Sequence, residues 1–171
     1  MIRELVLACA ERTMARRPHD FAIGPADNPY MLRWYITPWS KYDRRGPAPW
    51  TSRWLPNLYL HLILHDDEDR ALHDHPSHNV SWLLKNPYWE VLFLAQGYSM
   101  ETTKVFRPQG TIISRSAQTA HRLVLAAGPV ITLFFTGPVV RGWGFHCPKG
   151  WVPWREFVDV SNTGSVGKGC E

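Results

Sequence analysis

The chain has 171 residues, enough for a single domain over residues 1–171 with a hydrophobic core. Hydrophobic residues make up 44% and charged residues 20%, as in an ordinary globular protein, and no apolar run approaches the length of a membrane span. The formal net charge of +4 would help an anionic substrate approach. Without a long Lys/Arg tract, this charge does not indicate a nucleic-acid-binding protein.

The three cysteines, Cys9, Cys147 and Cys170, are an odd number without a CxxC pair. We therefore expect no disulfide framework and a reducing, cytoplasmic location. Cys170 stands next to the chain end and is expected to be a free thiol. The residues from Met1 to Arg17 include charges where a signal peptide would need an uninterrupted apolar stretch, so no signal peptide is predicted.

The first predicted element is a helix over Ile2–Arg16, within an N-terminal helical segment of residues 1–18 that Pro18 ends. Tyr30–Thr37 is aromatic and β-branched and predicts a strand. The following loop, Trp39–Pro56, is rich in Trp, Pro and Arg. Such a loop could cover a site, contact a partner subunit or stack against single-stranded nucleic acid.

The rest of the chain alternates short β-type runs with Gly, Pro and Asn turns, which predicts an all-β sandwich or barrel. Residues 160–171 are rich in Gly and Ser and predict a flexible tail. The further predicted strands are Leu58–His65, Val80–Leu84, Tyr88–Ala95, Thr102–Phe106, Thr111–Ser114, His121–Leu125, Val130–Thr136 and Val140–Phe145.

The segment His73-Asp74-His75 carries the strongest functional signal. Two histidines at i and i+2 of an extended segment point to the same face, so both imidazoles can reach one metal ion. His121, on a distant strand, can complete a triad that leaves coordination positions open for substrate or dioxygen. The alternative, two surface histidines beside a turn, is the weaker interpretation because the third histidine is suitably placed.

These residues resemble the two motifs of the cupin superfamily, G-x5-H-x-H-x3,4-E-x6-G and G-x5-P-x-G-x2-H-x3-N. His73 and His75 match the first-motif histidines, and the segment from Gly110 through Ser116 to His121 is in register with the second motif. A closer likeness, over most of the chain, is to a group of bacterial and phage cupin-like proteins with segments of the types DRALHDHP and WGFHCPKGWVPW. The resemblance implies a double-stranded β-helix, the cupin jelly roll, with its core barrel over residues 58–145.

The chain departs from the cupin pattern at several positions. Asp67 stands where the first motif has its first glycine, and Asn79, or Val80 with the longer spacing, stands at the glutamate position. The carboxylate ligand that the resemblance implies is therefore missing. Three histidines without a carboxylate give a metal site of higher net positive charge, which would suit an anionic chelating substrate.

Other residues are candidates for catalysis or for the pocket. Glu90 could be a carboxylate ligand or a general base, or simply an outward-facing strand residue. His78 could be a fourth ligand or a catalytic group, or lie exposed near the metal. The residues expected to line the substrate pocket are His61, Tyr59, Arg70, Asn79 and Trp82; for Arg70 an ion pair with the acidic turn is the alternative.

The leading hypothesis is a cupin enzyme with one divalent metal ion per chain, Fe(II) favoured over Zn, Ni or Mn. It would act on a small polar molecule in a dioxygenase-like reaction. A metal-dependent sugar or keto-acid isomerase, with Glu90 moving the proton, and a non-catalytic binding module remain alternatives. Since cupins often pair, we expect a homodimer; a membrane partner is not expected and a nucleic acid is a minor alternative.

Overall fold

The computed structural model describes residues 1–37, 55–67, 71–94, 101–159, 161 and 165–171. Helix α1 spans Ile2–Arg16, as predicted. The next residue, Arg17, caps the helix and has an extended backbone because Pro18 follows. The helix packs Val6, Leu7, Ala10 and Met14 against the outer surface of a sheet. No described helix is long and apolar enough to cross a membrane.

Two six-stranded antiparallel sheets face each other and form a jelly roll, which confirms the predicted fold class. Sheet I has the strand order β1-β2-β3-β10-β5-β8, and sheet II the order β12-β11-β4-β9-β6-β7. The strands are β1 Phe21–Ile23, β2 Met31–Tyr35, β3 Asn57–Ile63, β4 Leu72–His73, β5 Asn79–Lys85, β6 Tyr88–Phe93, β7 Thr102–Arg107, β8 Ile112–Arg115, β9 His121–Leu125, β10 Val130–Thr136, β11 Gly144–Cys147 and β12 Gly150–Pro153, followed by the short helix α2, Trp154–Phe157.

Most predicted strands lie within a residue or two of the observed ones, and the bounds of β9 and β10 match the prediction. The predicted strand Val140–Phe145 was wrong over residues 140–143, because pairing with β12 begins at Gly144 and pairing with β4 at Phe145. Strands β1, β4 and β12 were not predicted. They are only two to four residues long, too short to show a periodic pattern.

Side-chain alternation along β5 separates the barrel interior from the surface covered by α1. Asn79, Ser81 and Leu83 point inward, whereas Trp82 and Leu84 point outward and pack with the helix. The expected pocket role of Trp82 was therefore wrong, because this ring lies on the far side of sheet I.

The interior has an apolar end and a polar end. The apolar end is a cluster of buried residues, each on a different strand: Ile63, Leu83, Tyr88, Ile113, Leu123 and Val130. Two residues away on the same strands, and therefore on the same face, stand buried polar side chains: His61, Ser81, Glu90, Arg115, His121 and Thr132. These buried polar side chains, gathered at one end of the barrel, form the candidate functional site.

The C-terminal hairpin β11–β12 extends sheet II beyond β4. Gly144 is required there, since a Cβ atom would collide with the carbonyl oxygen of Val152 and the ring of Trp151. A disulfide joins Cys147 of β11 to Cys170, and Cys170 is partly buried. The expectation of a free Cys170 thiol was wrong, because the last residues turn back and Cys170 packs with the hairpin cluster.

Candidate metal centre

The three predicted histidines meet in the polar end of the barrel. His73 ends β4 and pairs directly with His121, the first residue of β9, and His75 follows two residues after His73. One nitrogen from each ring lies within 4.8 Å of the others. The ring centroids are 5.3 Å (His73–His75), 5.1 Å (His73–His121) and 5.0 Å (His75–His121) apart.

The nitrogens of His75 and His121 fit two neighbouring positions of one metal ion. Their Nε2 atoms are 2.8 Å apart. Two nitrogens bound to one metal at about 2.1 Å and at a right angle would be about 3 Å apart. Within the described part of the chain, no carboxylate joins the three histidines, so the ligand set that the structure offers is three imidazoles.

The environment keeps two of these imidazoles neutral, which is the form that binds a metal. Burial lowers the pKa of His121 to about 3, and the positive charge of Arg115 contributes. Burial likewise holds the pKa of His75 well below its usual range, with further lowering from His121 and His73. Lone pairs for a cation are thus present at neutral pH.

Glu90 determines the orientation of His121. The carboxylate is fully buried on β6, and its Oε1 accepts a hydrogen bond from Nδ1 of His121 at 2.9 Å. That bond leaves the lone pair on Nε2 of His121, directed at His75. The inward position of Glu90 excludes the outward-facing alternative.

Two arginines hold Glu90 in its ionised form. Arg115 Nε donates to Oε1 at 2.6 Å and Arg107 Nε to Oε2 at 2.7 Å. Burial would raise the pKa of Glu90, but the hydrogen bond from His121 and the charge of Arg115 outweigh it and hold that pKa far below its usual range. A carboxylate so strongly stabilised is a weak base, which favours a positioning role.

Asp67 stands behind His73 in a similar way and was missed as a site residue. Its buried Oδ2 accepts from the Leu123 backbone N–H at 3.1 Å and lies 3.8 Å from Nδ1 of His73. The latter nitrogen is buried and has no hydrogen-bond partner among the described residues. With Nδ1 on the Asp67 side, Nε2 is the nitrogen left for a metal. The sequence did contain a signal for Asp67, namely an acidic residue at the position where the first cupin motif has a glycine.

Arg115 connects the site to sheet I and was also missed. Its side chain is 2% exposed, and it donates to Ser81 Oγ at 3.0 Å, Tyr88 Oη at 3.0 Å and Asn79 Oδ1 at 3.5 Å, besides Glu90. An arginine at the end of a short strand gives no sign in the sequence of pointing inward, because arginines there are normally exposed.

His61 and Tyr59 lie on the inward face of β3 and form part of the pocket wall. The His61 ring is 4.9 Å from that of Phe134, which in turn is 6.3 Å from that of His75. Burial and then Arg33, whose Nε donates to His61 Nε2 at 2.9 Å, hold the pKa of His61 well below its usual range. Tyr59 stacks beside His61 at 5.9 Å.

One predicted residue, His78, stands apart from this cluster. His78 is exposed, with Nε2 at 2.8 Å from Ser114 Oγ, and it does not belong to the group that could hold a metal. Arg70 lies outside the described residues, as does most of the loop Trp39–Pro56.

No protein-family model matches the sequence, and no curated protein is similar to it. Solved structures of similar fold include hydroxypropylphosphonic acid epoxidase from S. wedmorenis, at 14% identity and a TM-score of 0.46 over 71% of this chain and 56% of that chain. A cupin superfamily protein from Desulfitobacterium hafniense is 11% identical, with a TM-score of 0.42 over 63% and 77%. A mutant oxalate decarboxylase from Bacillus subtilis is 11% identical, with a TM-score of 0.47 over 71% and 29%.

The chain thus spans little more than half the length of the epoxidase chain and less than a third of the decarboxylase chain. At this identity, the similarity is one of fold and carries no inference about the reactions of those proteins.

Proposed function

We propose that this protein is a metal-dependent enzyme in which His73, His75 and His121 hold one divalent ion, with Fe(II) favoured. We further propose that it acts on a small polar molecule in a dioxygenase-like reaction. The observation that supports this most is the convergence of three imidazoles on one point, two of them kept neutral by their surroundings. Fe(II) bound by three protein ligands would supply redox chemistry and open positions for dioxygen and substrate.

The chain's own groups would orient the ligands and exclude water. Glu90 fixes the tautomer of His121, and Asp67 stands behind His73. Phe134, Tyr59 and His61 form an aromatic wall beside His75, which would lower solvent access to a bound substrate.

An isomerase on the same scaffold needs a group that accepts and returns a proton. Glu90, the residue predicted for this role, has both oxygens occupied by cationic or imidazole donors and a strongly lowered pKa. This geometry favours the oxygenase over the isomerase. A non-catalytic binding module would use the same histidines and differ only in lacking turnover.

Metal content is the direct test. We expect protein purified without an affinity tag or added metal to contain close to one equivalent of iron by elemental analysis. A His73→Ala/His121→Ala double variant should contain less than a tenth of that, because one imidazole cannot hold the ion alone. His78→Ala serves as the control and should retain the metal.

The reaction class is tested next, by oxygen uptake with panels of small acids and thiols. Uptake that depends on both iron and substrate supports the dioxygenase. Zinc, nickel or manganese in place of iron would move the function toward isomerase or hydrolytic chemistry. If native protein binds no metal even after anaerobic reconstitution with Fe(II), Mn(II), Ni(II) or Zn(II), the metalloenzyme proposal is wrong.

A further inference from the structure

The side chain of Asn79 is a buried hydrogen-bond donor without an acceptor. The residue is fully buried on β5, and its Nδ2 has no partner among the described residues. A buried polar group left unpaired destabilises the fold, so such a donor calls for a ligand that accepts its hydrogen bond.

The amide lies in the polar end of the barrel, on the network that supports the metal centre. Its Oδ1 accepts from Arg115 Nη1 at 3.5 Å, and this contact orients the NH₂ group away from the arginine. Arg115 binds Glu90, and Glu90 binds His121. In the chain, Asn79 is only four residues beyond His75.

Among the described residues, no carboxylate is placed to bind a cation that the three histidines hold. Glu90 is balanced by Arg115 and Arg107, and Asp74, between the two histidines, is balanced by Arg141 at 2.6 Å. The side chain of Asp67 lies behind His73, 3.8 Å from its Nδ1, and is not one of the groups placed to bind the cation. Three neutral imidazoles add no negative charge, so a divalent ion would keep its full charge.

We infer that the site takes an anionic, oxygen-donor chelating ligand, and that the Asn79 amide donates a hydrogen bond to the oxygen of this ligand and so selects for it. This inference rests on the proposed metal centre and specifies its substrate class. A small molecule with a carboxylate next to a second oxygen donor has both properties, because it supplies the missing negative charge and an acceptor for Nδ2.

The test uses the full chain loaded with Co(II), whose visible spectrum reports on ligands without any turnover. Malonate is the anionic probe, because it is a small O,O-chelating dianion, and imidazole is the neutral probe. We expect wild-type protein to bind malonate at least tenfold more tightly than imidazole, measured by spectral titration and by calorimetry.

Substitutions at Asn79 separate the hydrogen bond from the metal site. Asn79→Leu, of similar size but without a donor, should weaken malonate binding about tenfold and leave the affinities for Co(II) and imidazole within threefold of wild type. Asn79→Asp keeps the shape and replaces the donor by a carboxylate. It should bind Co(II) as tightly or more tightly and weaken malonate binding more than Asn79→Leu does.

Ser81→Ala is the matched control, because Ser81 also contacts Arg115 but offers no donor to the ligand in this inference. Its malonate affinity should stay within threefold of wild type. Equal malonate affinity in wild type and both Asn79 variants, with Co(II) bound, would overturn the inference and leave the metal centre standing. If wild-type protein binds no Co(II), both the metal centre and the inference fail.

Discussion

In the candidate metal centre, two of the three imidazoles have an acidic side chain behind them, on the side away from the site. Glu90 accepts from His121 at 2.9 Å, whereas Asp67 is 3.8 Å from His73, too far for a hydrogen bond. The hydrogen bond from His121 to Glu90 fixes the orientation and the tautomer of that ring, and it would raise the basicity of the nitrogen available to a metal. The site therefore depends on the orientation of the ring nitrogens as well as on the proximity of the three histidines.

Glu90→Gln tests the positioning role. The change keeps the shape of the side chain but removes the charge that pairs with Arg115 and Arg107, so the tautomer of His121 is no longer fixed. We expect the affinity for Fe(II) or Co(II) to fall about 10–100-fold, measured by competition with a chromophoric chelator.

Arg107→Gln is the control for Glu90→Gln, since it removes one partner of the carboxylate from a more exposed position and leaves the His121 bond intact. It should lower metal affinity less than threefold. If Glu90→Gln is folded, as judged by the circular dichroism of wild type, and binds metal with unchanged affinity, the positioning role of Glu90 is contradicted.

The middle residue of the His-Asp-His segment ties β4 to the C-terminal hairpin. Asp74 points away from the metal site, is almost fully buried, and accepts from Gly144 N–H at 2.9 Å and Trp151 Nε1–H at 3.0 Å. The same hairpin pairs with β4 at His73. The position of two of the ligands thus depends on the docking of β11–β12.

The disulfide between Cys147 and Cys170 holds the end of the chain on this hairpin. Because it closes a loop with a sequence separation of 23 residues, Cys170→Ser should lower the free energy of unfolding by about 3 kcal/mol in oxidised protein. Denaturant unfolding with and without a dithiol reductant measures this difference.

Cys9→Ser is the matched control, because Cys9 is an exposed free thiol and its replacement should not change stability. If the unfolding midpoint of wild type does not change with the reductant and equals that of Cys170→Ser, the disulfide does not stabilise the fold.

At the scale of the whole molecule, the barrel combines an apolar end that holds the two sheets together with a polar end that contains buried ionisable groups. His61 and His121 are 4% and 5% exposed, and burial lowers the pKa of each. Burial also lowers the pKa of His75, and the unfolded chain would protonate all three imidazoles near pH 6.5. The fold is thus linked to pH by groups in its interior.

Metal-free protein should therefore lose stability in mild acid. Below about pH 6.5 the unfolded chain binds protons that the folded chain, with a His121 pKa of about 3, does not. The contribution is complete above pH 6.5 and declines as the pH falls toward 3. Because the pKa values of His61, His75 and His121 are all lowered, the free energy of unfolding should differ by about 4 kcal/mol between pH 7 and pH 5.5, measured by denaturant unfolding.

A His61→Asn variant should show about two thirds of this difference, since one of the three buried imidazoles is then absent. The same free energy of unfolding at pH 7 and pH 5.5 in metal-free wild type would contradict the neutral, buried state of the three rings.

Two expectations about the whole molecule stay predictions. These are the homodimer and the cytoplasmic location, and the disulfide counts against a reducing compartment. The loop Trp39–Pro56, expected to contact a partner subunit or nucleic acid, lies mostly outside the described residues.

The sequence by itself determined the helix, most strands, the jelly-roll class and the three histidines. These features depend on local composition, on period-two alternation and on a motif spacing, all of which can be read along the chain. His73 and His75 follow from such spacing, and His121 from its register with the second motif.

Only the tertiary structure decided which face of a strand points inward and which distant residues meet. Alternation predicts that Trp82 and Ser81 lie on opposite faces of β5, but both faces are buried, one by the barrel and one by α1, so composition could not choose between them. Glu90 and Arg115, 25 residues apart, and Cys147 and Cys170, 23 apart, become partners through the packing of strands and tail. Long-range pairs of this kind leave no local pattern in the sequence, because the two partners are far apart along the chain and come into contact only when it folds.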